Sequence, residues 1–312
     1  MRSYNSALFC LIGVSMTLAA PAALASEGGY PVLEPVSPWN LDVGEHKCRL
    51  ARLFGDKADP SIFFIDQWHP SSRGEWTLAG PEVARYREKR QASYEFSDGG
   101  DSGDFEFLGA TFEQFGSAIM YRSKITANSD DEGEDEHEED FDSSRDYVAD
   151  PRGLPSFDAE GAKPIKWFTV SQRGRSTVKL KLGSMKDPLA AMNVCMEDLV
   201  ERWGLDIEEQ RTVARPPEIT NMATVVSRIQ QVYPSRALRR GAQADFHIRM
   251  IIDTEGAIES CVLLSQTTAD AFTLDDHPCK VFERHAKITP AQNAQGQPVR
   301  TYLTNRIKYR IS

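Results

Sequence analysis

Between Phe246 and Ile252 every second residue is strongly apolar: Phe246, Ile248, Met250 and Ile252. The pattern breaks at Asp253-Thr254-Glu255-Gly256 and resumes at Ile258, Val262 and Leu264. A period of two on both sides of a four-residue turn specifies a hairpin with one buried face, and Gly256 supplies the backbone freedom the turn needs. Before it, Met222, Val225, Val226, Ile229 and Val232 follow a helical spacing that stops where Tyr233 precedes Pro234, and Pro234 to Arg240 reads as a second short helical turn ended by Gly241. After it, a helix is expected from Leu274 to Ala286, then a last strand with Val299, Leu303, Ile307, Tyr309 and Ile311 inward and Arg300, Arg306, Lys308 and Arg310 outward. Residues 222–312 therefore predict an αββαβ unit with a three-stranded antiparallel sheet.

The 221 residues before that unit predict a separate domain, so the chain reads as α+β with two cores. Strand signals fall at Ser61 to Trp68 and Ser117 to Thr126, with a hairpin from Lys166 to Leu182 turning at Arg173-Gly174-Arg175. One long helix follows, with Asp187 and Pro188 expected at its N-cap and N1 positions and Met192, Cys195, Met196, Leu199 and Trp203 on one face before Gly204. The expected limits are a mostly β domain over 46–206, a loose Pro- and Gly-containing lead over 26–45, and a linker over 207–221 stiffened by Pro216-Pro217. Residues 1–25 carry Arg2, an apolar stretch from Ala7 to Ala20 and the small-residue signature Ala23-Leu24-Ala25. That is the layout of a cleaved signal peptide, which predicts an exported product; inner-membrane anchoring would require an uncleaved signal.

The formal charge of −10 is concentrated: Ser129 to Asp146 holds eleven acids and one base. Such density repels and stays solvated, so 129–150 is expected to be a disordered insertion, with a weak calcium site as the less favoured reading. Export and the acidic balance argue against a nucleic-acid partner. Four cysteines remain beyond the signal, and an even number in an exported chain favours disulfides, with three connectivities open. The preferred pairing is Cys48 with Cys195 and Cys261 with Cys279, one bridge per domain. Zinc is disfavoured because no CxxC pair exists, and no other metal or cofactor site is expected. Gly99-Gly100-Asp101-Ser102-Gly103-Asp104 is close to the GDSGG loop of trypsin-like proteases but has Asp104 where that family has Gly, and neither His46 nor His69 stands in a fitting context. It reads as a Gly-rich turn with its acids in water, and no catalytic residues are assigned.

A three-stranded sheet has open edges, and such an edge can take an extended peptide as a further strand. The order of Tyr233-Pro234, the Asp253-x-x-Gly256 turn, Leu274-Asp275, Pro290-Ala291 and Gly296-x-Pro298-Val299 resembles the TonB C-terminal domain family over about Gln230 to Ile311. The resemblance implies a non-enzymatic periplasmic module of envelope energy transduction, which binds a short segment of an outer-membrane receptor by strand addition. A Gln three residues before the Tyr contributes to that contact in the family; the matching position is Gln230, with Gln231 adjoining. Arg300, Arg306, Lys308 and Arg310 are the expected basic contacts. A structural envelope adaptor, or a homodimer that uses the same edge, is the alternative reading. The cysteines resemble those of sphingomonad-type TonB-like domains, in which a strand-to-helix bridge staples the sheet, and 46–206 resembles the lead domain of some of those proteins.

Overall fold

The computed structural model describes residues 30, 32–88, 90–97, 99–107, 110–112, 114–127, 150–232, 235–240, 244–268 and 278–309. The signal-peptide stretch, nearly all of the acidic run, Tyr233-Pro234, Leu274-Asp275, His277 and Arg310 lie outside these residues.

The first domain contains strands β1 (Val32–Leu33), β2 (Asn40–Val43), β3 (Cys48–Gly55), β4 (Pro60–Gln67), β5 (Arg73–Ala79), β6 (Ala92–Phe96), β7 (Ser102–Phe105), β8 (Ala110–Phe112), β9 (Gly116–Lys124), β10 (Trp167–Gln172) and β11 (Val178–Lys181), followed by helix α1 (Lys186–Arg202). They form a six-stranded sheet, β2-β3-β4-β5-β9-β8, and a five-stranded sheet, β1-β11-β10-β6-β7. The sheets meet through aromatic rings. Trp76 of the first lies 4.9 Å from Phe168 of the second, and Phe63 lies 4.8 Å from the same ring. Alternation explains the burial: Val178 and Leu180 point into the core and Lys179 and Lys181 away from it.

Helix α1 closes the domain with Leu189, Met192, Cys195, Met196 and Leu199 in the same core. Its N-cap is Met185 rather than Asp187, and no side chain caps it. Asp187 instead sits in the first turn, where its charge favours the helix dipole. The expected loose lead is not loose: β1 pairs in parallel with β11 and β2 pairs with β3.

The rest of the chain runs α2 (Ile207–Arg211), β12 (Val213–Arg215), β13 (Glu218–Ile219), α3 (Met222–Gln231), α4 (Ser235–Arg240), β14 (Ala244–Ile252), β15 (Ile258–Thr268), α5 (Cys279–His285), β16 (Ile288–Thr289), β17 (Ala291–Asn293), β18 (Pro298–Val299) and β19 (Thr301–Tyr309). The main sheet has the order β15-β14-β19. Phe246, Ile248, Met250 and Ile252 meet Leu303 and Ile307, Val225 and Ile229 of α3, and Val281 and Phe282 of α5 in one core. Gly256 has φ +86°, and a Cβ there would come 2.1 Å from the Ile288 carbonyl, so the hairpin turn tolerates no side chain. The segment expected to be a linker is tied down. Asp206 caps α2 by accepting from Glu209 N at 2.8 Å, β12 pairs with β17, and β13 pairs with β16.

Both preferred disulfides are present. Cys48–Cys195 joins β3 to α1 with Cα atoms 6.3 Å apart, and Cys261–Cys279 joins β15 to α5 with Cα atoms 5.6 Å apart. Among the described residues no helix is long and apolar enough to cross a membrane, and no group of three or more His, Cys, Asp or Glu stands together as a metal site.

Candidate partner-binding edge

The two margins of the terminal sheet differ in regularity. β14 and β19 pair without interruption from Ala244↔Tyr309 to Ile252↔Thr301. The β14–β15 ladder breaks register twice, between His247 and Ile248 and between Ile251 and Ile252, each break leaving an extra residue on β15. Bulges twist an edge and spoil it as a template for another chain. β15 is also bridged to α5 through Cys261. β19 is thus the straighter margin, and it is the last strand on its side of the sheet among the described residues.

On β14 and most of β19 the side of this sheet opposite α3 and α5 is also buried, whereas Ser260 of β15 is exposed. Residues 247, 249 and 251 of β14 share that side with 302, 304 and 306 of β19, because the register sets Ile251 against Tyr302 and His247 against Arg306. Ile251 and Tyr302 belong to a cluster with Leu154, Val200, Leu205 and Ile207. The Trp203 ring lies 5.4 Å from Tyr302, and the Arg249 guanidinium stacks 3.9 Å above the same indole. Burial lowers the pKa of Arg249 to about 10, partly offset by Glu45. Further along, Trp68 stands 6.1 Å from His247. His69 is buried beside it, with Nδ1 3.0 Å from the Pro70 carbonyl, to which it donates as a neutral ring. Burial, reinforced by Arg122 and His247, holds His69 well below the usual histidine range.

The expected contact residues do not form one patch. Gln230 is exposed on the last turn of α3. Gln231, also exposed, accepts from Arg228 Nη1 at 2.9 Å and donates to Ser227 Oγ at 3.4 Å. Arg300 is engaged within the chain: its Nη2 donates to Glu259 Oε2 at 2.6 Å and its Nη1 to the Gly204 carbonyl at 2.6 Å. The bond to Glu259 raises the pKa of Arg300 and lowers that of Glu259. Arg306 is half-buried opposite His247, Lys308 lies opposite Asp245 on β19, and Arg310 is outside the described residues. Arg300 and Arg306 are separated by about 20 Å along the strand, so one short ligand residue cannot meet both.

The Gly-rich turn of the first domain joins β6 to β7. Asp104 faces water and accepts from Ser93 Oγ and Gln91 Nε2. Asp101 departs from expectation: it is half-buried, accepts from the Tyr94 hydroxyl at 3.1 Å, and has its pKa raised by burial.

Sequence reasoning missed the contact between domains, made by Trp203, Gln210, Ile251 and Tyr302. A signal existed, since Ile251 and Tyr302 are apolar at positions whose neighbours in the alternation are polar, and they lie on facing strands. No curated protein and no solved structure gives a match to the chain. Residues 229–311 match the family model described as Gram-negative bacterial TonB protein C-terminal, beginning at Ile229 within α3 and running through β19. With its helix-backed β15-β14-β19 sheet and this match, the terminal part of the chain belongs to the TonB C-terminal domain family.

Proposed function

We propose that this is a periplasmic, TonB-like envelope protein whose terminal domain binds an extended segment of an outer-membrane receptor by strand addition along β19. The family match supports a protein-interaction role in envelope energy transduction. The observation that carries the choice of edge is the contrast between the unbroken β14–β19 register and the doubly bulged β15. An added strand gains main-chain hydrogen bonds, each contributing about 1 kcal/mol net, so a short segment gives weak, reversible binding. Gln230, exposed beside Ile229, is the proposed contact from α3; in support, Ile229 shares its core with Ile307 of β19. Arg306, Lys308 and Arg310 are the remaining basic contacts proposed. The first domain carries no assigned chemistry, and the protein acts by binding rather than catalysis.

The test is a titration of the mature protein with synthetic peptides carrying the box of outer-membrane receptors from the same genome, followed by amide chemical shifts. Binding in the micromolar to millimolar range with shifts along β19 is expected. Absence of binding at millimolar peptide, together with a pulldown from envelope extract that recovers no receptor, rules the reading out. Self-association at the same edge, the adaptor reading, would appear as concentration-dependent sedimentation of the protein alone.

A further inference from the structure

Gln210 is a buried glutamine on a five-residue helix, and its whole side-chain amide is spent on the start of β19. Its Nε2 donates to the Arg300 carbonyl at 2.8 Å, and its Oε1 accepts from Thr301 Oγ1 at 2.6 Å. Gln210 and Thr301 are both fully buried. Thr301 shares its side of the strand with Leu303 and Ile307, which face the α3–α5 core. Ile207, three residues earlier on α2, belongs instead to the cluster that contains Tyr302 on the opposite side. A helix that reaches residues associated with both sides of one strand lies across the strand's rim rather than over either face. The neighbouring chain strengthens the placement. Gly204 accepts from Arg300, and β12, directly after α2, pairs with β17, which pairs in turn with β18, the segment that leads into β19.

Resting on the strand-addition reading, we infer that α2 caps the upstream end of the β19 rim and confines an added strand to the stretch Leu303–Tyr309. The partner is then an extended segment that pairs over seven residues or fewer and must turn away from the sheet before it reaches Thr301. A segment with a turn-forming Gly or Pro at that point fits; a longer uninterrupted strand collides with α2. The first domain thereby sets the length and ending of what the terminal domain accepts, because α2 follows α1 after only four residues.

The experiment is amide hydrogen exchange on the full mature chain, with and without a synthetic peptide carrying a receptor box from the same genome. Expected is slowed exchange at the outward-pointing, even-numbered amides between Leu303 and Tyr309, with the outward-pointing amide of Tyr302 unchanged on peptide addition. In Gln210→Ala, checked for folding by its near-ultraviolet circular dichroism, the protected stretch should lengthen to include the Tyr302 amide. Peptide protection that already reaches the Tyr302 amide in the wild type, or a boundary that stays fixed in folded Gln210→Ala, overturns the capping role while leaving strand addition standing. Peptide binding that protects no β19 amide sinks strand addition itself.

Discussion

His69 shows how much one side chain records about the joint between the domains. Its ring is buried and neutral, with Arg122 and His247 as its charged or titratable neighbours. The unfolded chain binds a proton near the ordinary histidine value of about 6.5, whereas the folded chain resists doing so. The folded pKa is the lower of the two, so His69 contributes stability that is fully present above about pH 6.5 and is lost as pH falls below it. The expected slope is about 1.4 kcal/mol per pH unit for this one group, until the folded pKa is reached. Urea unfolding of wild type and His69→Gln between pH 7.5 and pH 5 checks this. The difference in stability between the two proteins should narrow on acidification, and a constant difference would show that His69 does not titrate on unfolding.

At the scale of elements, the two disulfides act on different lengths of chain. Cys261–Cys279 closes a separation of 18 residues and Cys48–Cys195 one of 147. Loop-closure entropy grows slowly with length, so removing the short bridge as Cys261→Ser with Cys279→Ser is expected to cost about 3 kcal/mol, and removing the long one as Cys48→Ser with Cys195→Ser about 5 kcal/mol. Denaturant titration of the two double variants measures both. If the short-loop variant were the less stable, native-state packing rather than chain entropy would dominate. The same scale explains the linker. Pro216-Pro217 and a run of charges look like free chain, yet β12 and β13 on either side find short partners in β17 and β16. Two- and three-residue strands leave almost no periodic trace in a sequence.

For the molecule as a whole, the consequence of the joint is that β14 and the start of β19 are buried on both sides. Leu154, Val200, Leu205 and Ile207 cover Ile251 and Tyr302, and the Trp203 ring bridges Arg249 and Tyr302. A fragment of residues 207–312 uncovers that side, and apolar surface left in water drives association. The fragment is therefore expected to self-associate in sedimentation velocity at concentrations where the full mature chain sediments as a single species independent of concentration. Equal behaviour of fragment and full chain would show that the covering domain contributes nothing to keeping the sheet apart from its copies.

The αββαβ unit was legible because each of its elements advertises itself locally. Phe246 to Ile252 alternate, Gly256 marks a turn that only glycine fits, and Val225 and Ile229 repeat at helical spacing. The same holds for β10, β11 and α1 in the first domain, where alternation or a helical stripe faces one core. The partners of Cys48 and Cys261 were narrowed by counting, and folding selected one pairing from the three. What no local pattern carried was the meeting of two surfaces distant in sequence: a period of two reports that a strand has a buried side, but not that its other side is buried too by a second domain. Ile251 and Tyr302 hinted at it, while Arg249, Gln210 and His69 read as ordinary polar residues until packing removed them from water. The sequence alone therefore determined the elements and the family of the terminal domain; tertiary structure decided which margin of its sheet is regular and how far along that margin α2 reaches, because both depend on how strands and helices meet in three dimensions rather than on any local period.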